Sequence, residues 1–146
     1  MNRTKTATRI LSVLAALLLL LTSLTACEGG VTREETKTAM DALLTALDNE
    51  NYAEAAALYH PDAAMTEDLL AAFAGQIKTK VGIDLTEGAA VEKITGMSSS
   101  YYDSTVGGSR YALTARIKAG DKTADLTVEV IRNDRGYGIF RVECNP

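Results

Sequence analysis

The sequence predicts an α+β fold, in which about three helices pack on one face of a curved antiparallel sheet of four to five strands. Apolar residues recur at helical three-to-four spacing between positions 32 and 81, and they alternate one by one from position 91 onward. The connections between the predicted strands are short, glycine-containing turns that leave no room for crossover helices, so the strands run antiparallel. Helices that precede such a meander pack together on one of its faces.

Length and charge restrict the classes of protein that this chain can be. It has 146 residues, 47% of them hydrophobic and 23% charged, which suits one globular domain and excludes a disordered chain. Its 15 bases and 19 acids give a formal charge of −4; three of the bases precede position 27, so the remainder carries −7. An acidic domain of this kind is not expected to bind nucleic acid.

Residues 1–26 are predicted to be a signal peptide. Three cations and no acid occupy the first nine positions, and the apolar stretch 10–21 follows them. A spanning helix needs about 20 consecutive apolar residues, whereas this stretch ends before the polar residues that begin at Thr22. A permanent anchor helix is therefore the second choice.

The end of this segment, Leu24-Thr25-Ala26-Cys27, resembles the lipobox of bacterial lipoproteins. The resemblance implies that the Cys27 thiol receives a diacylglyceryl group and that the chain is cleaved after Ala26. Two or more acyl chains on one residue meet the requirement for lasting membrane attachment. The protein is thus predicted to be lipid-anchored on the extracytoplasmic face of a bacterial cell membrane; the alternative is a cysteine that ends a general secretory signal.

Residues 27–31 are interpreted as the lipidated cysteine and a short tether. Fully extended, the four residues after Cys27 span about 14 Å at about 3.5 Å per residue, so the domain is expected close to the bilayer. Its negative charge should keep it from lying flat on anionic headgroups. A thioether on Cys27 would leave Cys144 unpaired. Cys144 is interpreted as a small apolar residue ending the last strand, with an intermolecular bridge or a reactive thiol as the alternatives.

Residues 32–146 are predicted to form a single domain that begins with a long helix over 32–49. Thr32 and Glu35 have the spacing of a capping box, in which each side chain accepts a hydrogen bond from the other residue's backbone N–H. The apolar residues that follow have the spacing of one buried helix face: Ala39, Met40, Leu43, Leu44 and Leu47.

Two shorter helices are predicted next. The second covers 52–59 and ends because Pro61 disfavours helical geometry at the residue before it. The third is capped by Thr66 and stops at Gly82.

After Gly82 the pattern becomes that of strands rich in β-branched and tyrosine residues. The alternation within them predicts one buried face and one wet face. Glycine pairs at Gly107-Gly108 and Gly136-Tyr137-Gly138 are interpreted as hairpin turns. The candidate strands are Val91–Met97, Ser100–Val106, Arg110–Lys118, Thr123–Arg132 and Tyr137–Cys144.

This layout resembles the nuclear transport factor 2-like, or cystatin-like, superfamily, including its small bacterial lipoprotein members. The similarity covers about residues 32–143 and lies in the order of elements and in the segments Leu44–Tyr52, Leu58–Asp62 and Gly136–Val142. It implies a half-open cone, with the sheet wrapped around the long first helix and often a pocket between them. Tyr137 departs from the pattern, because that superfamily often has tryptophan there.

No catalytic signature is recognised in the chain. It has one histidine and lacks the HExxH, CxxC, GxSxG and P-loop motifs, so neither a cofactor nor a metal site is predicted. Asp62 has the spacing to orient His60 as a general base, but a helix stop in an exposed loop is the preferred interpretation of His60. The candidate pocket or polar site consists of Tyr59, His60, Asp62 and Tyr111.

Three functions follow from these features. The first is a membrane-tethered, noncatalytic binding or scaffolding domain with a protein partner at the membrane surface. The second is binding of a small molecule, such as a metabolite, lipid or envelope fragment, in the interior of the cone; a solid core of Leu43, Leu47, Phe73, Leu113 and Val128 would rule it out. The third is an enzyme of isomerase or dehydratase type, which requires His60 or Asp62 inside a cavity.

Overall fold

The computed structural model describes residues 29–146 as helices packed on one four-stranded antiparallel sheet, which confirms the α+β class. The strands follow one another in the order β1-β2-β3-β4. The predicted signal peptide, the cleavage site at Ala26 and the lipidation site at Cys27 lie outside the described residues. The elements are α1 (Arg33–Asp48), α2 (Tyr52–Ala57), α3 (Glu67–Gln76), β1 (Ala90–Asp103), β2 (Gly108–Ala119), β3 (Lys122–Asn133) and β4 (Gly136–Asn145).

Helix α1 begins with the predicted capping box. The Thr32 hydroxyl accepts a hydrogen bond from the Glu35 N–H at 3.2 Å, and the Glu35 carboxylate accepts one from the Thr32 N–H at 2.8 Å. The helix contacts β1, β2 and β3. Its predicted apolar face is buried against the sheet at Met40, Leu43, Leu44 and Leu47.

The two shorter helices differ from the prediction at one boundary. Helix α2 ends at Ala57, two residues before the predicted end, because the chain then turns to hydrogen-bond with β4. A 3₁₀ turn follows at Pro61–Ala63. Helix α3 continues into a π turn, Ile77–Val81, and ends at Gly82 with φ +83° as predicted.

The first strand is longer than predicted. The sequence predicts separate strands Val91–Met97 and Ser100–Val106, whereas β1 runs unbroken from Ala90 to Asp103. The register with β2 shifts at three places along β1, so bulges rather than a turn absorb the extra residues. Continuous pairing with the twelve-residue β2 keeps the serine-rich middle of β1 in the sheet.

The two faces of the sheet are confirmed. The inner face of the central strands β2 and β3 is buried beneath the helices, and the outer face carries polar cross-strand pairs, including Arg116 with Asp125 and Thr114 with Thr127. The buried residues of the two central strands alternate as predicted: Leu113, Ala115, Ile117, Ala124, Leu126, Val128 and Val130.

The segment after α2 meets the edge of β4 at very short range in an isolated parallel β-bridge between Tyr59 and Ile139, which is called the crossing below. The His60 N–H donates to the Ile139 carbonyl at 2.8 Å, and the Ile139 N–H donates to the Leu58 carbonyl at 2.9 Å. A Cβ at Gly138 would lie 2.5 Å from the His60 nitrogen and 2.7 Å from the Tyr59 carbonyl carbon. The turn between β3 and β4 is at 134–135, and Gly138 lies within β4, in agreement with the predicted strand Tyr137–Cys144. The interpretation of Gly136-Tyr137-Gly138 as a hairpin turn is therefore wrong, and Gly138 occupies a place in the strand where only a glycine fits.

Substitution Gly138→Ala is expected to lower the free energy of unfolding by about 3 kcal/mol, because backbone atoms must move to admit the methyl group. The matched control is Gly75→Ala in α3, where nothing lies within 4 Å of the added Cβ. That change should raise the free energy of unfolding by up to about 1 kcal/mol through helix propensity. Urea unfolding followed by circular dichroism measures both, and equal stability of the two variants would contradict the close crossing.

Candidate functional site

The single histidine is buried, so its predicted place in an exposed loop is wrong. His60 is 1% exposed and caps the 3₁₀ turn that Pro61 begins. Its Nδ1 accepts a hydrogen bond from the Asp62 N–H at 3.0 Å. The other nitrogen, Nε2, lies 2.9 Å from the Asn133 Oδ1 and donates to it, because an acceptor at Nδ1 places the proton on Nε2. Both ring nitrogens are thus occupied by structural hydrogen bonds.

Asp62 lies beside His60 but does not orient it. The Arg135 guanidinium holds the Asp62 carboxylate, with Nε at 2.8 Å and Nη2 at 2.7 Å. This hydrogen bonding from Arg135 lowers the pKa of Asp62, with a smaller contribution from Asn133. The carboxylate is 3.7 Å from the His60 Nδ1, which is already an acceptor, so the pair lacks the hydrogen bond that a carboxylate-oriented general base requires.

Asn133, which sequence reasoning missed, joins three connections at this end of the sheet. Its amide nitrogen donates to the Val106 carbonyl at 2.8 Å. Its amide oxygen receives hydrogen bonds from His60 and from the Arg135 N–H, the latter at 2.9 Å. The only sequence signal was an asparagine at a strand end before Asp134-Arg135-Gly136, which indicates a turn but not its distant partners.

The two tyrosines of the candidate polar site lie on different parts of the fold. Tyr59 is buried at the crossing, where it bridges to Ile139, and burial raises its pKa to about 12. Tyr111 lies on β2, and its hydroxyl donates to the Met97 Sδ at 3.4 Å. The structure therefore groups Tyr59 with His60 and Asp62, whereas β3 and β4 separate Tyr111 from Tyr59.

Arg132 fixes the start of the described chain against the sheet. Its guanidinium donates to the Gly29 and Gly30 carbonyls at 3.1 and 3.4 Å, and it pairs with the Glu35 carboxylate at 2.7 Å. It also lies 4.9 Å from the centre of the Tyr137 ring, a cation–π distance. The Tyr137 hydroxyl has its pKa raised to about 12, mainly by burial.

A surface groove of about 420 Å³ lies between α1 and β1. The buried Leu44 lines it, and on α1 the Lys37 ammonium pairs with the Asp41 carboxylate at 2.6 Å. Among residues 29–146, strand β1 pairs only with β2, so its other edge carries backbone N–H and C=O groups without strand partners in this part of the chain. The lining residues are Lys37, Asp41, Leu44, Thr45 and 89–94.

The groove and the His60 network lie at opposite edges of the sheet. The groove borders β1, the first strand in the order, whereas His60 hydrogen-bonds with β4, the last one. Neither His60 nor Asp62 lines the groove.

Cys144 packs at the edge of the core near the end of β4, opposite Leu126. It is a free thiol and half-buried, and burial raises its pKa to about 11. Because the thiolate is the nucleophilic form, Cys144 is a poor nucleophile at neutral pH.

Residues 29–146 contain no cluster of three or more His, Cys, Asp or Glu side chains placed to hold a metal ion. Within the same residues, no helix is both long enough and apolar enough to cross a membrane. Comparison of the chain with family models, with curated proteins and with solved structures finds no significant match.

Substitution Asn133→Ala is expected to lower the free energy of unfolding by about 2 kcal/mol, because the buried ring Nε2–H of His60 and the Val106 carbonyl lose their partner. The control is Asn145→Ala, at an exposed position that ends β4. Urea unfolding of the two variants measures the difference. If Asn133→Ala is as stable as the control, the network does not hold the three connections together.

Proposed function

We propose that the protein is a lipid-anchored binding module on the extracytoplasmic face of a bacterial cell membrane, and that its domain acts by binding rather than by catalysis. The anchor is supported by the apolar stretch 10–21 and by the lipobox sequence that ends at Cys27. Arg132 of the sheet holds the chain from Gly29 onward, and Gly29 is two residues after Cys27. A tether this short would keep the binding surface beside the bilayer.

We further propose that the domain is a nuclear transport factor 2-like, or cystatin-like, cone. Three helices precede a four-stranded meander, and the long α1 contacts three of the strands. Register shifts in β1 and between Glu129 and Val130 are of the kind that bend a sheet around such a helix.

The groove beside β1 is the observation that supports a binding function best. A strand edge with unpartnered backbone groups accepts an extended polypeptide by strand addition, in which main-chain hydrogen bonds supply affinity. The groove adds the apolar Leu44 and the charged pair of Lys37 and Asp41 for side chains of the bound segment. We therefore propose an extended segment of a partner protein as the ligand.

Two other functions have less support. A small molecule in the interior of the cone would need space where Leu43, Leu47 and Leu113 are each at most 1% exposed and pack together. An isomerase or dehydratase would need His60 or Asp62 in a cavity. Both ring nitrogens of His60 are already hydrogen-bonded, and Arg135 favours the ionised form of Asp62.

Inhibition of lipoprotein signal peptidase in a producing bacterium is expected to leave a longer precursor in the membrane, because the bond after Ala26 stays intact. The variant Cys144→Ser provides a second measurement, since Cys27 is then the only cysteine. The mature variant, titrated in denaturant, should show no free thiol because a thioether occupies Sγ. Unchanged processing under the inhibitor, or one free thiol per chain, would contradict the lipid anchor.

The groove is tested with peptides selected from a displayed random library on the full chain in lipid nanodiscs. Substitution Thr45→Trp fills the groove and should weaken binding of the selected peptides at least about tenfold, or about 1.4 kcal/mol. The control is Thr38→Trp, another exposed threonine on α1 that does not line the groove. Equal peptide affinity of the two variants would exclude the groove as the binding site.

A further inference from the structure

We propose that the end of the domain from which the tether leaves docks on the bilayer surface through Tyr101 and Tyr102 of β1. This end, called the tether end, comprises 29–32, the β1–β2 turn at 104–107 and the β3–β4 turn at 134–135. The proposal rests on the proposed membrane anchor at Cys27 and adds a second, noncovalent contact with the same membrane.

The position where the tether leaves the domain is fixed by contacts on both sides of Gly30. Arg132 holds the carbonyls of Gly29 and Gly30, and the Val31 N–H donates to the Ser109 hydroxyl at 3.0 Å. Gly30 is three residues from Cys27, a reach of at most about 11 Å. A lipid on Cys27 would therefore hold this end of the domain, rather than any other, within that distance of the membrane.

Two large aromatic side chains are exposed beside this exit. Tyr101 and Tyr102 are 79% and 68% exposed, and they are two of the four large hydrophobic residues exposed within 29–146. A third, Met97, lies opposite Leu113 in the middle of the sheet and is not part of this contact. A Cβ at Gly30 would lie 3.4 Å from the Cδ2 of Tyr101, so this ring lies against the tether backbone itself. Tyrosine favours the headgroup level of a bilayer, because its ring is apolar and its hydroxyl remains hydrated.

Three arginines at the tether end pair with five carboxylates. The distances are 2.7 Å for Arg132 with Glu35, 2.7 and 3.2 Å for Arg135 with Asp62 and Asp134, and 3.4 and 3.5 Å for Arg110 with Glu129 and Asp103. The arginines offset most of the acidic charge here, which lessens the repulsion between this end of the acidic domain and anionic headgroups. The domain would stand on its tether end instead of lying flat.

The bilayer is the occupant that the anchor favours. Attachment at Cys27 makes contact between the tether end and the surface an intramolecular event with a high effective concentration. Even a weak preference of the two tyrosine side chains for the interface is then sufficient to orient the domain. A second copy of the chain has no comparable advantage.

The absence of tryptophan from the chain allows a direct test. Substitution Tyr101→Trp places one tryptophan at the proposed contact, and Leu69→Trp places one at a 54%-exposed position on α3 as the matched control. Each full-length variant is produced in a bacterium, its intact mass is measured to read the lipid on Cys27, and it is reconstituted into phosphatidylcholine–phosphatidylglycerol vesicles with brominated acyl chains.

We expect the emission of the Tyr101→Trp variant to shift to shorter wavelength and to be quenched by brominated lipid several-fold more strongly than that of Leu69→Trp. Equal, weak quenching in a lipidated chain would overturn the docking proposal and leave the anchor intact. A shift that grows with protein-to-lipid ratio without bromine quenching would assign the surface to self-association and also overturn it. An unlipidated mass would contradict the proposed anchor. If the apolar stretch 10–21 then keeps the unprocessed chain in the membrane, strong bromine quenching would still support docking, and weak quenching would overturn it.

Discussion

The crossing, in which residues 58–60 pair with the edge of β4, is the constraint on which the rest of the arrangement depends. Here two backbone hydrogen bonds join the chain after α2 to Ile139, and Gly138 leaves room for them because it has no side chain. The crossing attaches the end of α2 to the last strand, while α1 covers the inner face of the first three. The two edge strands of the sheet therefore differ: β4 pairs with this segment, whereas the outer edge of β1 has no strand partner within residues 29–146.

The same crossing explains why the histidine is structural. It brings His60 under the turn that follows β3, where Asn133 occupies one ring nitrogen and the 3₁₀ turn occupies the other. Asp62 is carried to Arg135 by the same segment. His60 and Asp62, which have the spacing of a general base and its orienting carboxylate, thus connect loops instead. The accessible groove forms at the opposite edge of the sheet, beside β1.

The extent of successful prediction differs between local and distant features. The capping box of α1, the stop at Gly82 and the alternation along β2 were all predicted, because each depends on residues within a few positions of one another. The continuity of β1 was not, because its bulges are compensated by pairing with β2. The burial of His60 and the role of Asn133 were missed for a related reason: these residues are 73 positions apart.

The sequence by itself determined the class of fold, the capping box that begins α1, the stop at Gly82 and the buried residues of β2 and β3, since these follow from local periodicity and capping. It also carries the complete argument for a lipid anchor, which lies before the described residues. Only the tertiary structure decided that Gly138 is a crossing point, that the edge of β1 beside the groove has no strand partner within 29–146, and that Gly30 lies next to Tyr101. These features depend on which distant segments meet, and a local pattern of side chains does not encode that choice.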